Sequence, residues 1–139
     1  MSNLIFIVED NVVQQKLMKV HFEEILGNYT VRAFENPHDI FSQLNENPLA
    51  VILDHFFDDR MGKTGLHFLR VIKVRHPSIA VIYYTSWEDE NLRNNVMGLG
   101  AEQYIVKNSA SLVRLRSALD LLHERKARKR SGVFRRIFS

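Results

Sequence analysis

The sequence predicts an α/β protein with a doubly wound parallel sheet, and three observations support this class. Five short apolar segments recur along the chain, at residues 4–8, 29–34, 49–53, 80–85 and 102–106. Four of them are rich in the β-branched and aromatic residues that strands favour, and each is followed by residues with helical apolar spacing. The first, third and fourth are almost continuously apolar, which is typical of strands buried on both faces of a parallel sheet.

The segments that follow the strands predict five helices. Their apolar positions are Val13, Leu17, Val20, Phe22 and Ile25 in the first; Ile40, Phe41 and Leu44 in the second; Leu66, Leu69, Val71 and Ile72 in the third; Leu92, Val96 and Leu99 in the fourth; and Leu112, Leu115, Leu119 and Leu122 in the fifth. Pro37 opens the second helix, because proline is accepted in a first helical turn. Five β-α units with right-handed crossovers indicate a flavodoxin-like (βα)5 domain with strand order 2-1-3-4-5.

Composition excludes several classes of protein. The 139 residues are 45% hydrophobic and 25% charged, as in an ordinary globular domain, and they include no cysteine for disulfides or a thiolate metal site. No stretch approaches the roughly 20 apolar residues of a membrane span. The first apolar run is also too short for a signal peptide. We therefore expect a cytoplasmic protein.

Charge is distributed unevenly along the chain. Residues 1–113 hold 10 Lys/Arg and 14 Asp/Glu, a net charge of −4, whereas residues 114–139 hold 9 and 2, a net charge of +7. We expect a domain at residues 1–124 and a basic tail at 125–139 that either extends the fifth helix or is flexible. A partner-binding or membrane-surface role of the tail is the less favoured alternative. No specific nucleic-acid binding is expected from so short a segment.

Polar residues lie at the ends of four of the five predicted strands. Glu9 and Asp10 follow the first strand, Asp54 follows the third, Thr85 ends the fourth and Lys107 follows the fifth. In a doubly wound sheet, ligands bind outside the carboxyl ends of the strands, near the point where the strand order reverses. We therefore expect these five side chains to converge on one cleft.

The residue types in this set indicate a particular chemistry. Three neighbouring carboxylates repel one another unless a cation joins them, and a hard divalent ion such as Mg²⁺ prefers oxygen ligands. A metal beside a lysine and a hydroxyl suits phosphoryl transfer, in which charge on the phosphoryl oxygens must be stabilised. Asp54 stands alone on the central strand and is the best candidate for a nucleophile that forms an aspartyl phosphate. Glu9 and Asp10 would then hold the metal.

These residues resemble the receiver domain of bacterial two-component response regulators. The resemblance covers about residues 3–124 and rests on IFIVEDN, VILDHFF, VIYYTS and AEQYIVK. It implies that Asp54 accepts a phosphoryl group from a sensor histidine kinase, a histidine phosphotransfer protein or a small phosphodonor. It also implies a Mg²⁺ or Mn²⁺ ion positioned by Glu9, Asp10, Asp54 and the backbone carbonyl of Phe56.

The resemblance extends to the output of the domain. It implies that Thr85 and Lys107 bind the phosphoryl oxygens. It further implies that Tyr104 is a switch aromatic that moves inward together with Thr85 after phosphorylation. This movement would remodel the surface of the fourth helix, fifth strand and fifth helix. A downstream partner would bind that surface, and a homodimer could form through it.

The chain departs from the family pattern at three places. Asn108 replaces the usual proline after Lys107, so a trans bond is expected, because a cis bond to a non-proline residue costs about 3 kcal/mol. The loop after Asp54 is longer than usual by about three residues. Phe56 and Trp87 lie two residues beyond Asp54 and Thr85, where they flank the path of an attacking water and are expected to slow dephosphorylation.

The sequence thus predicts a stand-alone receiver, a switch controlled by phosphorylation. It would catalyse its own aspartyl phosphorylation and dephosphorylation but would not be a metabolic enzyme. The main alternative is an interaction module of the same fold that is never phosphorylated. An FMN-binding flavodoxin is disfavoured, because the loop after the first strand, EDNVVQ, is acidic where a phosphate-binding loop would be needed.

Overall fold

The computed structural model describes residues 3–57 and 62–138, with side chains described up to residue 129. Within these residues, five parallel strands form one sheet in the order β2-β1-β3-β4-β5, which confirms the predicted fold class. The strands are β1 Leu4–Val8, β2 Thr30–Phe34, β3 Ala50–Leu53, β4 Ala80–Thr85 and β5 Gln103–Val106. The α-helices are α1 Val12–Lys19, α2 Gly65–Arg75, α3 Glu90–Gly98 and α4 Ser111–Phe138. The central part of the long loop after Asp54, residues 58–61, lies outside the described residues.

The sheet is buried on both faces, as the continuous apolar strands predicted. Side chains alternate between the faces along each strand. Ile5 and Ile7 of β1 join a core cluster with residues of α1 and α4, whereas Phe6 and Val8 join a second cluster with residues of α2 and α3. The carboxyl ends of the strands are therefore held between two packed layers, which fixes the positions of the residues that follow them.

The predicted second helix is wrong in type. Two short 3₁₀ turns, Pro37–Ile40 and Leu44–Glu46, replace an α-helix between β2 and β3. Their backbone bonds span three residues, and the left-handed Asn47, with φ 54°, ends the segment. Ile40 and Leu44 are nevertheless fully buried, so the segment covers the sheet without forming a regular helix.

The predicted apolar stripe of the first helix is confirmed at Phe22, which is fully buried, but wrong at the other four positions, which face solvent: Val13, Leu17, Val20 and Ile25. Val13 and Leu17 are 67% and 60% exposed, whereas Met18 is buried against the sheet. The side-chain amide of Gln15 donates a hydrogen bond to the backbone carbonyl of Glu9. Met18, Phe22 and the partly buried Leu26, spaced four residues apart, form the face that packs on the sheet. The helix then continues as a π-helical turn, Val20–Ile25, that buries Phe22.

The predicted stripe of the last helix is confirmed. Leu115 and Leu119 are fully buried, and Leu122 is nearly so. The helix α4 runs for 28 residues and includes most of the basic tail. In the described part of the chain, no helix combines the length and the apolar character that crossing a membrane would require. Because the second predicted helix is absent, the predicted surface of the fourth helix, fifth strand and fifth helix corresponds to α3, β5 and α4.

Candidate functional site

The parallel register brings the polar strand ends to one edge of the sheet. Val8 pairs with Leu53, so Glu9 and Asp54 leave the neighbouring strands β1 and β3 at the same level. Thr85 pairs with Val106, so Lys107 leaves β5 one residue beyond the end of β4. The structure thereby collects the predicted side chains at the carboxyl edge, where the strand order reverses between β1 and β3.

Lys107 joins the carboxylates of the two central strands. Its Nζ lies 2.6 Å from Oε2 of Glu9 and 2.8 Å from Oδ2 of Asp54. All three side chains are largely buried, with 14% of Lys107, 5% of Glu9 and 8% of Asp54 exposed. Water therefore screens this three-membered ion cluster weakly, and each charge depends on the other two for its solvation.

Burial and mutual contact shift the protonation of this cluster. Burial raises the pKa of Glu9 to about 7, with Asp54 adding to the rise and the Lys107 hydrogen bond opposing it. Burial lowers the pKa of Lys107, but its hydrogen bonds to Asp54 and Glu9 outweigh burial and raise the pKa overall. Lys107 is therefore held in its charged form, and it is the cation that neutralises the cleft.

The donor chemistry of the cleft fits a hard divalent cation. Glu9 and Asp54 bring carboxylate oxygens into the cleft. Asp10 follows Glu9 directly in the chain and carries the same ligand type, which Mg²⁺ prefers. Yet among the residues that the structure describes, no group of three or more acidic or histidine side chains is arranged to hold a metal. The Lys107 ammonium bridges Glu9 and Asp54, where such an ion would bind. A metal bound to these carboxylates would therefore compete with Lys107 for Glu9 and Asp54.

The start of α2 approaches the backbone of Asp54 very closely. Oδ1 of Asp54 accepts a 2.7 Å hydrogen bond from the backbone N–H of His55, and the carbonyl of His55 accepts one from Gly65. A Cβ at Gly65 would lie 2.1 Å from the carbonyl oxygen of Asp54. Only glycine leaves room for this packing. The start of α2 therefore contacts the backbone of Asp54 directly and restricts its position.

Thr85 is fully buried at the end of β4. Its hydroxyl oxygen accepts a 3.3 Å hydrogen bond from the backbone N–H of Trp87. Its carbonyl accepts a 2.8 Å hydrogen bond from the backbone N–H of Lys107. Thr85 therefore links the loop after β4 to the residue that carries the cleft ammonium.

Phe56 and Trp87 form an aromatic rim next to Asp54. Their ring centroids are 5.8 Å apart, and both rings are about half exposed. The ring of His55 lies behind them, 4.8 Å from Phe56 and 5.5 Å from Trp87. The two residues that were predicted to flank the water path thus contact each other across the two loops.

Tyr104 lies in an inward position. It is only 5% exposed, and its hydroxyl donates a hydrogen bond to the carbonyl of Trp87. The guanidinium of Arg93 lies 4.6 Å from its ring centroid on the exposed side. Burial raises the pKa of Tyr104, so the phenol keeps the proton that it donates to Trp87. This is the inward position that the resemblance implied for the switch aromatic.

The loop after Lys107 is shaped by Asn108 without a cis bond. The bond between these residues is trans, as expected from the absence of proline. The side-chain oxygen of Asn108 accepts a 2.9 Å hydrogen bond from the backbone N–H of Ala110. The backbone carbonyl of Asn108 accepts a hydrogen bond from the hydroxyl of Ser111. Between this loop and α1 lies a cavity of about 250 Å³ whose lining includes Leu17 and Lys107.

One part of the site was missed by sequence reasoning. His55 was interpreted as a packing residue, yet its Nδ1 forms a hydrogen bond with the hydroxyl of Tyr83. Both residues are buried. Two adjacent tyrosines in a fully apolar strand were the available signal, since each buried phenol needs a hydrogen-bond partner.

The fold and the cleft define a class of protein: a flavodoxin-like α/β domain whose central strands present buried carboxylates to a lysine from the last strand. Comparison with known families identifies the class further. A family model described as the response regulator receiver domain matches residues 5–120. The chain therefore belongs to the response regulator receiver domains of two-component systems.

Individual proteins resemble this chain in sequence or in fold. The chain is 35% identical over 77 residues to the DNA-binding transcriptional regulator NtrC of Proteus hauseri, a match that covers 55% of this chain and 16% of NtrC. Its fold is similar to the signal receiver domain of a protein described as a Luxo repressor from Vibrio parahaemolyticus, with a TM-score of 0.79 and 22% identity over 95% and 98% of the two chains. It is also similar in fold to the response regulator TrrA of Thermotoga maritima, which was solved in complex with Mg²⁺-BeF. The TM-score is 0.72 and the identity is 23%, over 88% of this chain and 99% of TrrA.

Proposed function

We propose that this domain is a switch controlled by phosphorylation of Asp54. The observation that carries the proposal is the Lys107 ammonium, which lies 2.8 Å from Asp54 Oδ2 in a largely buried cleft. An ammonium in that position is suited to binding a phosphoryl oxygen once Asp54 has been modified.

The chemistry would be direct phosphoryl transfer. An Asp54 carboxylate oxygen attacks the phosphorus, the bond from phosphorus to the donor nitrogen or oxygen breaks, and the donor leaves with the electron pair. Lys107 and the Thr85 hydroxyl would bind the phosphoryl oxygens. Mg²⁺, held by Glu9, Asp10, Asp54 and the carbonyl of Phe56, would supply further positive charge to the phosphoryl group. Mn²⁺ could take its place.

The surface beside the cleft supports a protein as phosphodonor. Val13 and Leu17 expose apolar side chains on α1, and Leu17 also lines the cavity that reaches Lys107. Exposed apolar side chains grouped beside a reactive centre are typical of an interaction site. We infer a sensor histidine kinase or a histidine phosphotransfer protein as the donor, acting in the cytoplasm.

The output surface in this proposal is formed by α3, β5 and α4. Tyr104 on β5 contacts Trp87 and Arg93, so a change at the cleft can reach α3 through these residues. A downstream protein would bind this surface, and a homodimer through it is the alternative. Residues 1–124 would form the receiver domain, with residues 125–139 as a basic extension.

Phosphorylation of the purified protein tests the proposal. Incubation with acetyl phosphate and Mg²⁺ should add one phosphate, detected by intact-protein mass, and hydroxylamine should remove it because an acyl phosphate is labile. Asp54→Asn should abolish the addition, and chelation of the metal should prevent it. Unchanged labelling of Asp54→Asn would refute the assignment. No labelling of the wild-type protein would favour the alternative, an interaction module that works without phosphorylation.

Phe56 and Trp87 provide a second test, on the lifetime of the phosphorylated state. The two half-exposed side chains contact each other beside the Asp54 loop, where they would restrict the approach of water to Asp54. Replacing both by serine should shorten the lifetime several-fold, measured as loss of the added phosphate after the donor is removed. A lifetime that is unchanged or longer would show that these rings do not limit hydrolysis.

A further inference from the structure

Tyr83 is the largest side chain in the fully buried core, and its hydroxyl lies beside the phosphoacceptor loop. The hydroxyl forms a hydrogen bond with Nδ1 of His55. It also lies at the start of α2, 2.6 Å from the position that a Cβ on Gly65 would take. A buried phenol and a buried imidazole both need hydrogen-bond partners, and here they are paired with each other.

The other side of Tyr83 contacts the switch aromatic. Its ring stacks on Tyr104 with centroids 5.9 Å apart and planes inclined by 14°. Tyr104 in turn donates to the carbonyl of Trp87. Tyr83 is thus a rigid, fully buried link with His55 at one end and Tyr104 at the other.

We propose that Tyr83 couples the Asp54 loop to Tyr104, through its hydroxyl contact with His55 and its ring contact with Tyr104. The proposal rests on the proposed phosphorylation of Asp54 and adds the route by which it is communicated. Tyr83 is a positioning residue in this scheme, since it touches neither the phosphoryl group nor the metal.

A change in hydrogen bonding at Asp54 provides the input. The N–H of His55 donates to Oδ1 of Asp54 at 2.7 Å, and a charged acceptor makes such a bond strong. When Oδ2 forms the bond to phosphorus, Oδ1 becomes the carbonyl oxygen of a neutral acyl group, and this hydrogen bond weakens. The backbone of His55 then relaxes, and its ring carries the Tyr83 hydroxyl with it.

The rigidity of Tyr83 makes the transfer effective. A buried phenol cannot leave His55 without losing a hydrogen bond that no water replaces. Its ring has little freedom, because close-packed interiors transmit displacements. The stack on Tyr104 therefore follows the hydroxyl, and the contact between Tyr104 and Trp87 changes with it.

The chain contains a matched control one residue away. Tyr84 lies on the same strand but faces the opposite side of the sheet, in the cluster of α1 and α4. It is also buried, and its hydroxyl forms a 2.8 Å hydrogen bond with Ser111. Removing either hydroxyl deletes one buried hydrogen bond from β4, so the two variants should lose similar stability. Only Tyr83→Phe should break the link to His55.

Fluorine NMR of protein labelled with 3-fluorotyrosine tests the proposal. The chain has 4 tyrosines, so 4 resonances are expected, and Tyr104→Phe assigns the resonance of interest. Mg²⁺ with beryllofluoride, a phosphoryl mimic, should shift the Tyr104 resonance in the wild-type protein. In Tyr83→Phe that shift should fall by more than half, whereas Tyr84→Phe should retain it. A full Tyr104 shift in Tyr83→Phe would overturn the proposal, as would an equal loss in Tyr84→Phe.

A second variant separates this proposal from the proposed function. His55→Phe keeps an aromatic ring but removes the partner of the Tyr83 hydroxyl. In the free protein it should move the Tyr104 resonance when Tyr83 is present and leave it unmoved in a Tyr83→Phe background. If beryllofluoride fails to bind the wild-type protein, the phosphorylation proposal fails while this comparison still decides the coupling. Equal displacement of the Tyr104 resonance in both backgrounds would refute the link through Tyr83.

Discussion

Substitution of Gly65 by alanine tests whether the start of α2 is pressed against the Asp54 loop. The added Cβ would lie 2.1 Å from the Asp54 carbonyl oxygen, 2.6 Å from the Tyr83 hydroxyl and 3.0 Å from Cα of His55. Two of these three atoms belong to the backbone, so no side-chain rotation can relieve the overlap. To reach an ordinary contact of 3.4 Å, α2 and the carbonyl must separate by about 1.3 Å.

The expected cost follows from this geometry. Overpacking a buried position costs about 1–3 kcal/mol, and the backbone contacts place Gly65 toward the upper part of that range. The better helix propensity of alanine returns up to about 1 kcal/mol. The net loss in the free energy of unfolding should be about 2 kcal/mol. For a domain of this size, that corresponds to a Tm lower by about 5–10 °C.

Gly98→Ala is the matched control. Gly98 ends α3, and a Cβ there would meet no atom within 4 Å. This variant should be neutral or more stable by up to about 1 kcal/mol, because alanine reduces the conformational freedom of the unfolded chain. Thermal and urea unfolding of both variants, together with acetyl phosphate labelling, form the assay. A Gly65→Ala protein that melts with the wild type, or a Gly98→Ala protein that loses as much, would refute the close packing.

Two further predictions concern single side chains. Lys107→Met should abolish phosphorylation of Asp54 yet tighten Mg²⁺ binding, because the metal would no longer compete with an ammonium for Glu9 and Asp54. Titration with Mg²⁺, followed by the fluorescence of the single tryptophan, should give a lower Kd than in the wild-type protein. A higher Kd would contradict the competition. Tyr29→Phe should lower the free energy of unfolding by about 1 kcal/mol, because it removes a 2.8 Å hydrogen bond to Asp120 of α4. Urea unfolding measures that loss, and unchanged stability would show that the bond contributes nothing.

The position of the cleft could be predicted because it follows from the strands. Parallel strands end at the same edge, so a strand order of 2-1-3-4-5 places carboxylates after the first and third strands on the same side as a lysine after the fifth. The long lysine side chain can then reach them across the end of β4. The 2.6 Å and 2.8 Å contacts of Lys107 with Glu9 and Asp54 agree with that expectation. The contact of Phe56 with Trp87 also follows, since both residues lie on loops at this edge.

The buried face of α1 was assigned to the wrong apolar residues. Counting favoured Val13, Leu17 and Val20, yet these side chains face solvent. Met18 and Phe22 are buried, and Leu26 packs against the same cluster, so a second stripe with a spacing of four residues faces the sheet. Hydrophobic spacing offered two stripes on this segment and did not decide between them.

The replacement of the second helix by 3₁₀ turns has a similar origin. Ile40 and Leu44 are buried as predicted, so the apolar pattern identified the covering residues correctly. It could not distinguish an α-helix from two short turns. The side chain of Asn36 accepts from the N–H of His38, which starts a tight turn, and Asn47 ends the segment in the left-handed region. Local side-chain bonds of this kind compete with regular helix formation.

The tyrosine pair of β4 explains how the end of this strand is held from both sides. Alternation along a strand sends Tyr83 to one face and Tyr84 to the other. Tyr83 reaches the loop after β3 through His55, and Tyr84 reaches the start of α4 through Ser111. The ring of Tyr84 also lies 5.3 Å from the Lys107 ammonium. The alternation can be predicted from the sequence, but the partners cannot, because both come from loops whose shapes depend on the folded chain.

This arrangement has a consequence for Thr85, which follows Tyr84 directly. Two buried hydroxyls tie the neighbouring loops to the strand that carries Thr85, so its hydroxyl is positioned by contacts on both faces of the sheet. On its Tyr83 side the strand contacts the Asp54 loop and, through the stacked rings, Tyr104. On its Tyr84 side it contacts Ser111 of α4 and the Lys107 ammonium. That asymmetry is why the Tyr83 and Tyr84 variants, equal in the bond they delete, should differ in the signal they transmit.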